Sequence, residues 1–354
     1  MPDINDDIGH LETEALIKRL TKQIEQEYNI ATAEMQKKLD EYLRKFSVKD
    51  EIWRNAVENG TVTQEEYIKW RTNQILMSQR WRDMLDVLAR DAMLADMKAM
   101  SIVKGFMPEA YAVNINYTTY QIEHLGQLNS SFTLYDRATV ERLWRENPKL
   151  LPDPSPTGKT AQKLKENKDL IWNRDHINEQ IRQAVIQGED ITKISERLQT
   201  VTDMDENAAI RNGRTMMTSA QNAGRIDGNQ RANDMGIETT LEWCATLDGR
   251  TRTSHRYLHG NRIKTGGKFA NGLRYPGDPD GAPYEIYNCR CTLLTWVAGF
   301  EPSDKVTSSP KMGDMSYSEW LEATPKSNPI TLPKEKGKAI EQWYINKYRI
   351  MAKG

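Results

Sequence analysis

One long run of helical periodicity near the N-terminus constrains the fold more than any other feature. Apolar side chains recur there mostly at intervals of three or four, with Glu and Lys between them: Leu16, Leu20, Ile24, Tyr28, Met35, Leu39, Leu43 and Phe46. This spacing predicts one amphipathic helix from Leu11 to Phe46. Such a helix is about three times the mean length of helices in globular proteins. It must therefore pack along another helix of the same chain or along another chain, and the sequence leaves both arrangements open.

A capping motif predicts where the second long helix begins. Thr63 is followed three residues later by Glu66, a pattern in which the two side chains satisfy the first unpaired N–H groups of a helix. The predicted helix runs to about Met100, and Pro108 lies just beyond its end. The stretch Tyr111 to Tyr120 is aromatic and β-branched, so we predict that it is extended or irregular.

The second half of the chain changes from helical to strand-like patterning. We predict helices between Trp172 and Gly236, the last of them starting at the N-cap Asp205, and short strands after them. The fold class is therefore mainly α, with a long N-terminal helical arm and a small α+β C-terminal module with short strands. The predicted divisions are an arm at 1–149, a linker or exposed loop at 150–168, the module at 169–300, and a tail with a short terminal helix at 301–354.

Charge and hydropathy exclude several classes of protein. Lys and Arg number 49 against 50 Asp and Glu, so no global basic field indicates nucleic-acid binding. No apolar run approaches the length of about 18 residues that a membrane span needs, and the acidic N-terminus lacks a signal pattern. We predict no membrane contact through the chain's own signals. Three cysteines are too few for a disulfide scaffold, which suits synthesis in a reducing cytoplasm.

The cysteines and two histidines fall together in the predicted module. Zn²⁺ closes structural sites with four Cys or His ligands, and the set Cys244, His255, Cys289 and Cys291 supplies four, with His259 as the alternative histidine. The same residues are equally consistent with small buried thiols and hydrogen-bonded imidazoles in a packed core. Zinc is therefore predicted as a possible cofactor, and both interpretations stay open.

Arginines around this segment indicate either a local basic surface or an internal network. Arg250 and Arg252 alternate with threonines, so an extended backbone projects both guanidinium groups to one side, toward Asp248 or toward a phosphate. The candidate DNA-binding set is Arg211, Arg214, Arg225, Arg250 and Arg252. The competing interpretation is a buried Arg and Asp network that holds a small module together.

The same segment resembles the phage Mu F-like family of minor head, or head morphogenesis, proteins. In that family a tryptophan precedes an Asp-x-Arg-Thr-Arg-x-x-His-x-x-Leu-x-Gly run, and the domain ends on Asn-Cys-Arg-Cys. This chain supplies Trp243, Asp248, Arg250, Thr251, Arg252, His255, Leu258, Gly260 and Asn288 to Cys291. The preceding helix is also similar, with Arg214-Thr215, Ala220, Asn222, Gly224 and Arg225. Met216 departs from the pattern, since relatives often carry an acidic residue there.

The resemblance implies a structural minor head protein of a tailed bacteriophage, associated with the portal protein inside the capsid and made in the host cytoplasm. Such a protein assists head assembly and DNA packaging or ejection. The scaffold or the major capsid protein is a further possible partner, with weak nonspecific contact to double-stranded DNA. We predict no catalytic residue. The predicted structural motif is Trp243, Asp248, Arg250, Arg252, His255, Gly260, Asn288 and Arg290, which would pin the ends of a glycine-rich loop.

Two other functions compete with this interpretation. Asp248, His255, His259 and a metal would suit a nuclease, and Arg with His and Glu would suit an ADP-ribosyltransferase-like enzyme. Both lack a clear acid and base pair at defined spacing. A nonspecific DNA-binding protein is the third possibility, and the balanced net charge counts against it.

Overall fold

The structure, a computed structural model, describes residues 4–126, 132–146, 159–187, 189, 191–299 and 316–324. Helix α1 (Ile8–Glu58) follows a short 3-10 turn at Ile4–Asp6, which confirms the predicted long amphipathic helix. Helix α2 (Gln64–Ile75) begins at the predicted capping box, in which Thr63 and Glu66 exchange both hydrogen bonds. The prediction that this helix runs to about Met100 is wrong, because a separate helix α3 starts at Gln79.

Helix α3 (Gln79–Gly126) continues through the segment predicted to be extended. Pro108 lies inside the helix, and Tyr111, Ile115 and Tyr120 are buried. Two of these side chains, Tyr111 and Ile115, belong to the core that α1 and α3 share with later elements. Burial of these large side chains outweighs both the β preference of the residues and the helix-breaking tendency of proline.

Three further helices lead to the module. They are α4 (Arg137–Glu146), α5 (Lys159–Ile186) and α6 (Ile191–Asp234). Helix α5 starts inside the predicted linker, so residues 159–168 are helical instead of a loop. Asp205 lies in the interior of α6 and is not an N-cap. The end of α6 is as predicted, since Gly236 takes a positive φ of 86° and the N–H of Ile237 returns to the carbonyl of Ala232.

The C-terminal module is built on a three-stranded antiparallel sheet. Strand β1 (Thr239–Cys244) is central and lies between β2 (Arg262–Lys264) and β3 (Thr292–Val297). Trp243 is opposite Leu293 in the register of β1 with β3. Two short helices, α7 (Thr253–Leu258) and α8 (Pro283–Ile286), lie in the long connections. The predicted fold class, a mainly helical chain with a small α+β module, is confirmed.

Helix α1 packs inside its own chain. Its first half, with Leu20 and Ile24, shares one hydrophobic core with α3, with Met217 of α6 and with Trp243 of the sheet. Its second half packs with α3, α5 and the start of α6 in another core. A boundary at 149 or 169 therefore does not separate two hydrophobic cores, and the division into arm and module remains a prediction.

Helix α9 (Tyr317–Ala323) packs on Tyr117 and Tyr120 of α3 through Trp320. The predicted terminal helix, the rest of the tail and residues 150–158 of the predicted linker lie outside the described residues. Among the described helices, none combines the length and apolar character that crossing a membrane requires.

Candidate metal centre

Three segments of the module converge on one buried cluster. His255 lies on α7, Glu285 lies on α8, and Cys289 and Cys291 lie just before β3. Asn288 opens this last turn with a φ of 54°, a left-handed conformation that asparagine adopts more readily than most residues. His255, Cys289 and Cys291 are only 1 to 3% exposed. The donor atoms therefore face one another inside the protein and not toward solvent.

The histidine lies between two thiols and a carboxylate. Its Nδ1 atom is 3.4 Å from Sγ of Cys291 and 3.6 Å from Sγ of Cys289, and the three donor atoms lie within 4.8 Å of one another. Its Nε2 atom is 2.9 Å from Oε2 of Glu285. Ser254 and Asn271 also donate to that carboxylate oxygen, each at 3.2 Å. The module thus contains a His, Cys and Cys group that can bind a metal ion.

The electrostatics of the cluster shift the pKa values of its two thiols in opposite directions. Hydrogen bonding by Cys291, and then by His255, holds the pKa of Cys289 well below its ordinary value. The hydrogen bond to Cys289, together with burial, raises the pKa of Cys291 well above its ordinary value. Burial acts to lower the pKa of His255, but its contacts with Cys289 and Glu285 outweigh burial and raise it. The cluster therefore favours one thiolate beside a protonated imidazole.

Two of the predicted ligands lie elsewhere. Cys244 packs with Ile4 and Leu294 in a separate apolar cluster. Its neighbour Trp243 contacts the His255 ring, with centroids 5.0 Å apart, and successive strand residues face opposite sides of a sheet. The prediction that Cys244 belongs to the ligand set is therefore wrong. The alternative ligand His259 uses Nδ1 to accept a hydrogen bond from the N–H of Ala245 at 3.2 Å.

The remaining motif residues form hydrogen bonds within the β1–β2 connection and between that connection and the turn before β3. Arg290 forms a two-pronged ion pair with Asp248, and these hydrogen bonds hold the pKa of that carboxyl far below its ordinary value. Arg252 donates to the carbonyl of Tyr287. The N–H of Gly260, which has a φ of 81°, donates to the carbonyl of Trp243. The structure therefore brings the two halves of the predicted motif together. The side chain of Arg250 is exposed.

The five predicted DNA-binding arginines do not all lie at the surface. Arg225 is fully buried and pairs with Asp7, so its assignment to DNA is wrong. Its burial follows from its position on the face of α6 that covers the sheet. Arg214 pairs with Glu14 at 2.7 Å and is mostly covered. Arg211, like Arg250, is exposed.

Helix α6 supports the cluster through a polar ladder, which we define as Thr218, Asn222, Arg225 and Asn229. These residues recur every three or four positions, so they share one helix face. Thr218 donates to the carbonyl of Cys289 at 2.8 Å, and Arg225 donates to that of Leu293 at 2.5 Å. Asn222 bonds both to the carbonyl of Cys291 at 3.4 Å and to the N–H of Leu293 at 3.0 Å. The ladder thereby satisfies backbone groups in the turn before β3 and at Leu293, near the start of that strand.

Sequence reasoning missed two residues of this arrangement. Nothing local marks Glu285 as the partner of His255, because 30 residues separate them. Asp7 is 218 residues from Arg225. The spacing of the polar ladder was a usable signal, since a polar stripe at helical intervals within a compact module indicates buried hydrogen bonds.

Together, the fold and site define a helical protein that carries a small sheet module with a buried His and Cys centre. Residues 175–294 match the model of the family described as Phage Mu protein F like protein. That match takes in α6, β1, β2, the first half of β3 and every residue of the buried cluster. The resemblance to the phage Mu F-like family is therefore confirmed over this region.

Two curated proteins show similarity over different lengths. The minor head protein GP7 of Bacillus phage SPP1 is 22% identical over 279 residues, which cover 77% of this chain and 85% of that protein. The NAD(+)–arginine ADP-ribosyltransferase EFV of Enterococcus faecalis is 28% identical over 177 residues, which cover 46% of this chain. This second match spans only 36% of the length of the transferase. No solved structure shows a significant match to this chain.

Proposed function

We propose that this chain is a structural minor head protein of a tailed bacteriophage, located inside the capsid after synthesis in the host cytoplasm. The observation that carries the proposal is the extent of the similarity to the SPP1 minor head protein, which covers 77% of the chain. The family model covers only residues 175–294, so the longer similarity includes much of the N-terminal helical region. Arm and module therefore occur together in a protein named for the phage head.

The buried cluster supports a structural role. A catalytic group must reach its substrate, whereas His255, Cys289 and Cys291 are covered by protein. The similarity to the transferase spans only 36% of that protein, which does not support the same activity for this chain. The site is arranged to hold α7, α8 and β3 together.

The tip of the α1–α2 hairpin is the surface that we assign to the portal protein. Val48 and Ile52 are 68% and 61% exposed and lie one helical turn apart on α1. Polar contacts hold α1 against α2 at this tip. The buried Asp50 of α1 accepts a hydrogen bond from Tyr67 of α2 at 2.9 Å and pairs with Arg71 of α2 at 3.1 Å. A rigid helix face with exposed apolar side chains suits docking into a groove of another protein.

The variant Val48→Glu/Ile52→Glu is expected to lower incorporation of the protein into procapsids at least tenfold, because each charge would have to be desolvated in the interface. The copy number of this chain relative to portal subunits, measured in purified procapsids, checks the result. The thermal midpoint should stay unchanged, since both side chains are exposed and surface substitutions cost little.

A matched control is Met235→Glu, which changes another exposed apolar residue, just after α6. It should be incorporated normally. Wild-type copy number for the Val48 and Ile52 variant would remove the tip from the docking surface. Equal incorporation into procapsids that lack portal protein would instead favour the scaffold or the major capsid protein as the partner.

Weak DNA contact is a second proposed property, and the exposed arginines Arg211 and Arg250 together with Arg252 favour it. None of the three forms a salt bridge with a described carboxylate. About three phosphate contacts predict that the logarithm of affinity falls with the logarithm of salt at a slope near −3.

Arg250→Gln is expected to reduce that slope by about one at all DNA sequences, because it removes one phosphate contact. Fluorescence anisotropy with duplex DNA at several salt concentrations measures the slope. Arg137→Gln on α4, an exposed arginine that pairs with Glu141, is the control and should change nothing. Absence of binding by the wild-type chain at low salt would exclude the DNA role.

A further inference from the structure

We propose that His255, Cys289 and Cys291 bind one zinc ion, and that Glu285 holds the histidine in its ligating orientation. This inference concerns the module itself and does not depend on the role in the phage head. The proposed ligand set excludes Cys244 and His259. It therefore differs from a four-residue Cys and His site.

The first argument is the spacing of the donor atoms. Zinc lies about 2.3 Å from a cysteine sulfur and about 2.0 Å from a histidine nitrogen, and a tetrahedral angle then places sulfur and nitrogen about 3.5 Å apart. The distances from Nδ1 of His255 to the two sulfur atoms are 3.4 Å and 3.6 Å. Both nitrogen–sulfur separations thus already match those that a shared zinc ion requires, and all three donor atoms lie within 4.8 Å of one another.

The second argument is the carboxylate on the far side of the imidazole. Because Glu285 accepts from Nε2 of His255, Nδ1 points toward the sulfur atoms and can bind the ion once it has lost its proton. Histidine ligands of metals characteristically donate their other ring N–H to such a partner. Glu285 is itself held by Ser254 and Asn271, so the ring orientation is fixed from behind.

The third argument is charge. Two neighbouring thiols cannot both ionise in a buried site without a cation, and a zinc ion balances two thiolates. The proton of the remaining thiol and the proton on Nδ1 of His255 would pass to solvent when the ion binds. No other described His, Cys, Asp or Glu belongs to this group of donor atoms. A water molecule would then complete the tetrahedron as the fourth ligand.

The test uses the full chain, purified under reducing conditions without chelator. We expect about one zinc per chain by elemental analysis. After removal of the metal, addition of Co²⁺ should produce the absorption bands of a tetrahedral site with thiolate ligands. Cys289→Ser and Cys291→Ser should each abolish or strongly alter these bands, because each removes one sulfur ligand.

Cys244→Ser and His259→Gln are the matched controls, since each changes a nearby residue of the same type outside the ligand set. Both should keep the metal content and the Co²⁺ spectrum of the wild type. Glu285→Gln should weaken Co²⁺ binding about 10- to 100-fold without removing a ligand. This variant keeps the test decisive if a cysteine variant fails to fold.

A folded wild-type chain that carries no zinc and gives no tetrahedral Co²⁺ spectrum would overturn the proposal. Loss of binding in Cys244→Ser equal to that in Cys289→Ser would also overturn it. These measurements are made on the isolated chain, so a negative result leaves the procapsid experiments unaffected. A failure of the head-protein proposal would likewise leave the metal result standing.

Discussion

Replacing Arg225 with methionine is expected to destabilise the protein by about 3 to 5 kcal/mol, because removing one member of a buried ion pair leaves the other charge uncompensated. The Arg225 side chain is fully buried and Asp7 is nearly so. The guanidinium group also donates to Oδ1 of Asn114 at 2.9 Å and to the carbonyl of Leu293. One side chain therefore ties the N-terminus, α3 and β3 to α6. The midpoint of urea unfolding, followed by circular dichroism, measures the loss.

Arg214→Met is the matched control on the same helix. Arg214 also pairs with a carboxylate near the N-terminus, Glu14, but both side chains remain partly exposed. Screening by solvent limits such a pair to about 1 kcal/mol or less. The double variant Asp7→Asn/Arg225→Met should lose less stability than the sum of its single variants. Equal losses in Arg225→Met and Arg214→Met would show that the buried pair does not anchor the N-terminus.

Gly224→Ala is expected to destabilise the protein by about 1 to 3 kcal/mol through overpacking. A Cβ atom at this position would lie 2.5 Å from the carbonyl oxygen of Tyr111 and 3.2 Å from the N atom of Ile115. Both contacts are to the backbone of α3, so no flexible side chain can move away to relieve them. Helices α3 and α6 must then separate, which loosens the core that they share with the sheet. Thermal unfolding measures the effect.

Gly105→Ala provides a control of opposite sign. Gly105 lies in the interior of α3, and a Cβ atom there meets no atom within 4 Å. Alanine is favoured over glycine in a helix interior by about 1 kcal/mol, so this variant should be more stable than the wild type. The prediction for Gly224 is contradicted if both alanine variants shift the midpoint in the same direction.

Local patterns in the sequence predicted local features of the fold. The apolar stripe of α1 and the Thr63 capping box are set by residues a few positions apart, and both appear as predicted. The segment 111–120 was mispredicted because its intrinsic β preference is weaker than the burial of Tyr111 and Ile115 against other helices. Sequence alone cannot show which helices will cover such a segment.

The candidate site shows the same limit. The predicted ligands His255, Cys289 and Cys291 do come together, while Arg290, between the two cysteines, turns away to Asp248. The prediction for Cys244 failed because successive residues of a strand face opposite sides of the sheet. Trp243 faces His255, so Cys244 points away from it. Glu285 and Asp7 depend on contacts between segments far apart in the chain, so no short motif contains them.

The polar ladder on α6 also determines how copies of this protein can meet. An unprotected edge strand presents unpaired backbone groups that invite a strand from another molecule, which leads to domain swapping or aggregation. At β3 the side chains of α6 occupy the N–H and carbonyl of Leu293, and the carbonyl of Cys291 just before the strand. The opposite edge, β2, has only three residues, and two of them, Arg262 and Lys264, are charged. Both edges of the sheet thus carry features that disfavour pairing with a strand of another copy.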